Sequence, residues 1–303
     1  MLRLFGKCLI IRRRLKNLNW PHFWSTSGTF GKPFSIFCRI DVWMTTTKKM
    51  ENYTIIAALA EKAARRVGDM LADQNTLHKK VRSSESHDIK LEGDFASERV
   101  VVEMLRDSSP FAIFSEEMGW MGKHAAGEAY WIIDPLDGSY NFHRDIPLCC
   151  VSIALYRDME PLIGVIYDFN HDEIYTAVVG NGAQLNGAPM TVSKTATKES
   201  SVFYTGFPVR TDFSEAGMQN FARNLSGWKK VRCIGSAALS LAHVACGRGD
   251  AYSENGIMWW DVAAGLALVK LAGGKFEING DLPESPLTVF AWNGVYDCPE
   301  SAD

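Results

Sequence analysis

The chain has 303 residues, of which 47% are hydrophobic, 22% charged and 11% aromatic. This fits one large globular domain or two ordinary ones and excludes bulk disorder, heptad repeats and collagen-like sequence. The formal charge of −3 hides an asymmetry, because residues 1–49 carry ten Lys and Arg against one acid, which leaves 22 basic and 34 acidic residues for 50–303.

An acidic body argues against nucleic acid as a partner, since a phosphate backbone demands a basic face. It suits a protein that gathers carboxylates, which attract metal cations. No apolar run approaches the roughly 20 residues of a membrane-spanning helix, so no membrane partner is expected. Cys8, Cys38, Cys149, Cys150, Cys233, Cys246 and Cys298 form no CxxC pair and have no clustered His. They read as buried, reduced thiols, and their spacing excludes a zinc site.

In chain order, residues 1–49 come first, with Arg12-Arg13-Arg14 among apolar residues and no acid before Asp41. Such a stretch fits a mitochondrial-type presequence. It equally fits residues upstream of a true start at Met44 or Met50. Disorder is expected there, and the cytoplasm is the expected compartment, with mitochondria the alternative if the presequence is genuine.

Apolar residues from Tyr53 to Leu71 recur at i, i+3 and i+4 and predict a long amphipathic helix. Phe95–Leu105 predicts a second, broken by Asp107-Ser108-Ser109-Pro110. Strands are expected at Phe111–Phe114, Tyr130–Ile133, Val151–Tyr156, Leu162–Tyr167 and Ile174–Val179. Beyond them the pattern predicts strand at Ser201–Thr205, helix at Phe213–Leu225, strand at Val231–Ile234 and helix at Ser236–Ala245. Last come strand at Ala251–Ser253, helix at Val262–Leu271 (stopped by Gly273-Gly274) and strand at Thr288–Trp292. Helices alternate with strands throughout, which points to a mixed α+β / α/β chain of two mixed sheets sandwiched by helices. The expected division is 1–49 as a leader, 50–195 as an N-terminal α+β half and 196–303 as a C-terminal α/β half.

The most informative segment is Trp131-Ile132-Ile133-Asp134-Pro135-Leu136-Asp137-Gly138-Ser139-Tyr140-Asn141-Phe142. A hydrophobic strand delivers two aspartates at its C-terminal end. Pro135 keeps Asp134 extended, and the turn can aim both carboxylates at one point. Gly138 lets backbone approach a ligand, and Gly138 and Ser139 can offer amides to a phosphate. Ser115-Glu116-Glu117 follows another strand; alone it is a weak signal, and paired Glu after a strand usually mean a solvated loop. Asp261, in Trp259-Trp260-Asp261-Val262-Ala263-Ala264-Gly265, reads alone as a helix cap. Asp94 follows Leu91-Glu92-Gly93.

Together these segments resemble the inositol monophosphatase family of lithium-sensitive, magnesium-dependent phosphatases. Asp134–Phe142 matches the family's Asp-Pro-Ile/Leu-Asp-Gly-Thr/Ser-x-Asn-Phe. Trp260–Gly265 matches its Trp-Asp-x-Ala-Ala-Gly. Ser115–Glu117 matches Gly-Glu-Glu with Ser for Gly. The resemblance runs from about Tyr53 to about Trp292; beyond it the family often carries a terminal helix.

The resemblance implies a layered αβαβα sandwich of the inositol monophosphatase / fructose-1,6-bisphosphatase type and a homodimer. It implies two to three Mg²⁺ per site. Glu116, Asp134 and the Leu136 carbonyl would hold the first, Asp134, Asp137 and Asp261 the second, and Glu116 a third, weaker one. Ser139 with Asp94 occupies the place of a Thr–Asp pair that activates the attacking water. Gly235, Ser236 and Ala237, with Gly138 and Ser139, match substrate contacts, and Glu254 matches an acid that binds a sugar or inositol hydroxyl. The implied activity is hydrolysis of a small phosphorylated substrate: an inositol monophosphate or similar polyol phosphate, with fructose 1,6-bisphosphate or adenosine 3′,5′-bisphosphate as alternatives. A non-catalytic regulatory protein retaining the fold is the reading from another class, but such a protein is expected to lose a metal carboxylate, and none is lost here.

Overall fold

The computed structural model describes residues 34–73, 77–85 and 88–296. The chain divides into two compact units, Met1–Thr45 and Thr46–Asp303, and every predicted site residue falls in the second. The first 33 residues, and most of the reading of 1–49 as a leader, lie outside the described residues. Helix α1 covers Phe34–Ala72, so it starts well ahead of Tyr53 and enters the stretch expected to be disordered. Residues 34–72 contain no proline and a single glycine, Gly68, so nothing in them interrupts a helix. Among the described residues no helix is long and apolar enough to cross a membrane.

The next elements are β1 (Val81–Glu85), β2 (Asp88–Leu91) and helix α2 (Glu92–Ser108). Strands β3 (Ala112–Ser115), β4 (Gly119–Met121) and β5 (Ala129–Asp137) follow, then the short helix α3 (Ser139–His143). Five strands come next: β6 (Cys150–Arg157), β7 (Glu160–Asp168), β8 (Glu173–Val178), β9 (Gly182–Leu185) and β10 (Ala188–Met190). The remainder is β11 (Val202–Thr205), α4 (Glu215–Leu225), β12 (Lys230–Cys233), α5 (Ala237–Ala245), β13 (Ala251–Ile257), α6 (Trp259–Leu271), β14 (Lys275–Asn279) and β15 (Leu287–Trp292).

Strands β10-β9-β8-β7-β6-β5-β3-β4 form one sheet and β12-β11-β13-β15-β14 a second; β1 and β2 make a separate antiparallel pair. Both large sheets are mixed. In the first, β3 runs parallel to β5 and the other pairs are antiparallel. In the second, β11 is parallel to both β12 and β13.

Burial explains why the β5 run is continuously apolar rather than alternating. Every residue of Ala129–Asp137 is buried, because the sheet is covered on both faces. Trp131 and Ile133 enter a core with Ala60, Val67, Val101 and Leu105 of α1 and α2. Tyr130 and Ile132 enter another with Leu239, Leu241, Val262 and Leu266 of α5 and α6. The far face of the second sheet packs Phe203 and Trp292 against Leu225 and Trp228. The layers therefore run helix, sheet, helix, sheet, helix, the αβαβα arrangement that the resemblance implied. Helix α6 sits at the centre, against β5, β6 and β7 on one side and β14 and β15 on the other. Gly265 allows its close crossing with α5, since a Cβ there would lie 2.4 Å from Leu241 Cβ.

Some boundaries shift for physical reasons. Helix α4 starts at Glu215, not Phe213, because Ser214 caps it, its hydroxyl accepting from the Gly217 N–H at 3.1 Å. Strand β5 continues through Asp137 where a turn was expected after Ile133. Of the cysteines, Cys149 and Cys150 are buried as expected, but Cys233 is exposed on edge strand β12, which corrects that expectation.

An ion pair clips β8 to the turn after α5. Arg248 donates to both oxygens of Glu173, at 2.5 and 2.6 Å, and to the Tyr175 hydroxyl at 2.7 Å. The guanidinium holds the Glu173 carboxyl down to about 2. A lowered carboxylate pKa stabilises the fold above the ordinary Glu range, and that stability is lost as pH falls toward 2. Arg248→Met is therefore expected to cost about 1 kcal/mol at pH 7, as for a solvent-screened bidentate pair, and almost nothing near pH 2. Urea unfolding at the two pH values checks it; an equal cost at both would sink the ionic account.

Candidate metal centre

Two of the site's carboxylates come from one strand, three residues apart. On a regular strand, positions i and i+3 face opposite sides. Here Asp134 pairs with Ser152 and Asp137 with Cys150, so three steps on β5 oppose two on β6. That is a bulge, and the extra residue flips the phase so that both aspartates share one face. Pro135 lacks the N–H that a regular ladder would use there. Asp134 is 2% and Asp137 8% exposed.

Glu116 follows β3 directly, and its N–H donates to Ile133 O at 3.3 Å. Parallel pairing of β3 with β5 thus sets Glu116 beside Asp134 at the carboxyl ends of both strands. Asp261 arrives from α6. The helix starts at Trp259, so Asp261 is its third residue rather than the opening one, and its Oδ2 accepts from the Met258 N–H at 3.0 Å. Asp94 has the same post in α2, accepting from the Leu91 N–H at 2.6 Å. Each helix start is thereby satisfied by an aspartate that keeps its second oxygen for the site.

The cluster carries more negative charge than Lys90, 3.4 Å from Glu116 Oε1, can offset. Burial, then the charges of Glu116, Asp137 and Asp261, push the Asp134 carboxyl well above the usual range. Asp261 is raised in the same way by burial, Glu116 and Asp137. Burial pushes Glu116 up to about 8 and Asp137 to about 6. Four carboxylates that repel one another call for cations, and their all-oxygen donor set is the kind that hard divalent ions prefer. Among the described residues no three His, Cys, Asp or Glu side chains close into a cage by themselves. An ion held here would complete its shell with water or substrate oxygens, as Mg²⁺ commonly does.

The remaining predicted residues divide between support and reaction. Ser139 Oγ lies 2.9 Å from Asp94 Oδ1 and 2.9 Å from Leu136 O. Ser139 and Asp94 are thus paired as expected, and the Leu136 carbonyl is beside them. Burial raises Asp94 to about 6. Ser236, expected at the substrate, donates from its hydroxyl to Asp137 Oδ2, which also accepts the Ala238 N–H at 2.9 Å. Ser236 also caps α5, accepting from the Leu239 N–H at 3.2 Å. The Gly235–Ala237 segment therefore anchors Asp137. Glu254, half-buried on β13, is raised to about 8 by burial and the Asp137 charge, which places it in the same field.

Sequence reasoning gave no role to Asn141, although it quoted the residue within the motif. Its amide donates to Leu148 O and Ile234 O, both at 2.8 Å, and so ties α3 to the loop that carries Gly235. It also missed Glu98, fully buried in α2, whose Oε1 accepts the Ser115 hydroxyl and the N–H groups of Glu117 (3.1 Å) and Met118 (3.2 Å). A fixed i+4 step from Asp94 was its only sequence signal.

Gly138 is required by shape. Its φ is 86°, and a Cβ would lie 2.8 Å from Leu148 O. Gly138→Ala is expected to cost about 2–3 kcal/mol of stability, through the left-handed backbone and the clash together. Thermal melting measures it, and a variant as stable as the parent would show that the turn can relax.

The family model described as the inositol monophosphatase family matches residues 51–299. A protein named Nus factor SuhB from Xylella fastidiosa is 41% identical over 70% of this chain and 78% of its own. An inositol-1-monophosphatase from Synechocystis is 39% identical over 62% of this chain and 66% of its own. Among solved structures, an inositol monophosphatase from Anabaena superposes with a TM-score of 0.68 at 37% identity, covering 80% of this chain and 92% of that one. The extragenic suppressor protein suhB from Bartonella henselae superposes with a TM-score of 0.71 at 30% identity, covering 80% and 94%. The chain belongs to the inositol monophosphatase family.

Proposed function

We propose that this member of the family is a Mg²⁺-dependent phosphomonoesterase that hydrolyses an inositol monophosphate or a similar polyol or sugar phosphate. The observation that carries the reading is the Ser139–Asp94 hydrogen bond set beside Glu116, Asp134, Asp137 and Asp261. When bound, Mg²⁺ supplies positive charge to the phosphoryl oxygens and the leaving alkoxide, and acidifies water.

The chain's own residues do the rest. Glu116, Asp134, the Leu136 carbonyl, Asp137 and Asp261 would hold the ions. Asp94 orients the Ser139 hydroxyl, whose lone pair would take a proton from an attacking water as its own proton passes to Asp94 Oδ1. The Gly138–Ser139 backbone and the Gly235–Ala237 segment flank the place for the phosphate ester. Glu254 offers a carboxylate to a substrate hydroxyl. A homodimer, lithium sensitivity and a cytoplasmic setting belong to the same reading, as does a mitochondrial setting if residues 1–49 act as a presequence.

Phosphate release from the full chain tests it, with inositol 1-phosphate, fructose 1,6-bisphosphate and adenosine 3′,5′-bisphosphate, each with and without Mg²⁺. Turnover that needs Mg²⁺ on one of them supports the reading and chooses the substrate class. Folded, metal-supplied protein that turns over none would overturn it.

The names of several relatives favour a second reading. Proteins called Nus factor SuhB are 35–41% identical to this chain, so a regulatory role alongside catalysis is the alternative, and it would reopen the exclusion of nucleic acid drawn from the acidic body. Retention of all four acidic residues favours catalysis.

A further inference from the structure

Glu116 has an acidic neighbour that the metal assignment does not use. Glu117 is 5% exposed at its side chain, and the two acids share one ammonium. Lys90 Nζ lies 2.6 Å from Glu117 Oε1 and 3.4 Å from Glu116 Oε1. With the lysine 28% exposed, solvent shields this contact only in part.

The arrangement is fixed from both sides. Lys90 lies on β2, paired with Ser83 of β1. The next residue, Leu91, is tied to Asp94 by the 2.6 Å bond from its N–H. Glu117 is held by its own N–H to the buried Glu98. Backbone on each side, more than chance side-chain placement, puts a positive charge at the outer edge of the Glu116 carboxylate.

We infer that Lys90 is a resident cation of the site: its ammonium occupies the outer flank of Glu116, where a third, weak Mg²⁺ would bind, so that this chain takes two metal ions and holds a third off. The inference rests on the metal assignment made under Proposed function. A divalent ion at the outer flank would meet the ammonium at a few ångströms in a partly desolvated setting, enough for a penalty of about tenfold or more in affinity. Because Nζ stands closer to Glu117 than to Glu116, it leaves Glu116 able to serve the inner ion.

The test counts bound Mn²⁺ by electron paramagnetic resonance and calorimetry on the full chain, without substrate. The parent is expected to bind two ions per chain. Lys90→Met should bind a third, or bind its outermost ion about tenfold tighter, whereas Lys90→Arg should match the parent. Glu117→Gln works in the opposite direction: losing its nearer anchor, the ammonium moves toward Glu116 and weakens the outermost ion about tenfold. That variant carries the test if Lys90→Met does not fold. Ion number and affinity within twofold of the parent in Lys90→Met, or tighter binding in Glu117→Gln, would overturn the inference and leave the metal site standing. A parent that binds no Mn²⁺ would overturn both.

Discussion

Asp134→Asn is expected to lower kcat/KM by about 10³-fold or more while raising the melting temperature of the metal-free protein. The activity loss follows from removing a buried carboxylate that faces Glu116, Asp137 and Asp261 together. A factor of that size matches the loss of one well-placed electrostatic contact to the reacting group, about 4 kcal/mol. The stability gain has the opposite sign because the charges that serve catalysis oppose folding without cations.

A carboxyl whose folded pKa is raised stabilises the native state only while protonated. That contribution is present below the unfolded value near 4 and is lost as pH rises through the folded value. With Asp137 at about 6 and Glu116 at about 8, the metal-free parent should lose stability steadily from pH 5 to 8. Excess Mg²⁺ should restore most of it, and Asp134→Asn should flatten both trends. Melting curves in chelator and in Mg²⁺ at pH 5 and pH 8 decide the matter. A metal-free Asp134→Asn protein that melts below the parent at pH 8 would refute the idea that the cluster is strained by its own charge.

Asp94→Asn is expected to reduce kcat by about 10²–10⁴-fold and leave the Mn²⁺ count unchanged, as for loss of a general base. The amide can still accept the Leu91 N–H, so the start of α2 survives. Its NH₂ group, however, would donate to Ser139 Oγ and occupy the lone pair that an attacking water needs. Ser139→Ala should give a similar kcat loss with the same metal count. Single-turnover phosphate release at saturating Mg²⁺ separates this from weak binding. A kcat within tenfold of the parent in Asp94→Asn would remove the pair from the reaction.

Much of this was legible because the chain states it locally. The apolar run of β5 announced a hydrophobic strand, and the aspartates at its end announced the site. Alternating periods pointed to two mixed sheets sandwiched by helices, and the αβαβα order of the layers came from the family resemblance. Less local features stayed hidden. Strand β1 is Val-Arg-Ser-Ser-Glu, too polar to show as a strand, and exists because β2 pairs with it. Strand β14 does alternate, Lys275-Phe276-Glu277-Ile278-Asn279, and its burial follows suit; there the signal was present and went unread. The bulge that brings Asp134 and Asp137 to one face depends on β6, which no spacing within β5 could show. Ser236 and Asn141 acquire their supporting roles only through partners about a hundred residues away.

The central position of α6 has a consequence for how the protein is made. Asp261 is the last of the four carboxylates to leave the ribosome, and the helix that carries it fills the space between the two sheets. Until that helix docks, the first sheet lacks most of the cover on one apolar face. If cations fill the cluster as proposed, their capture waits for α6 and cannot guide the early steps of folding. A nascent chain stalled before residue 259 would expose an aggregation-prone surface with no bound ion to steady it.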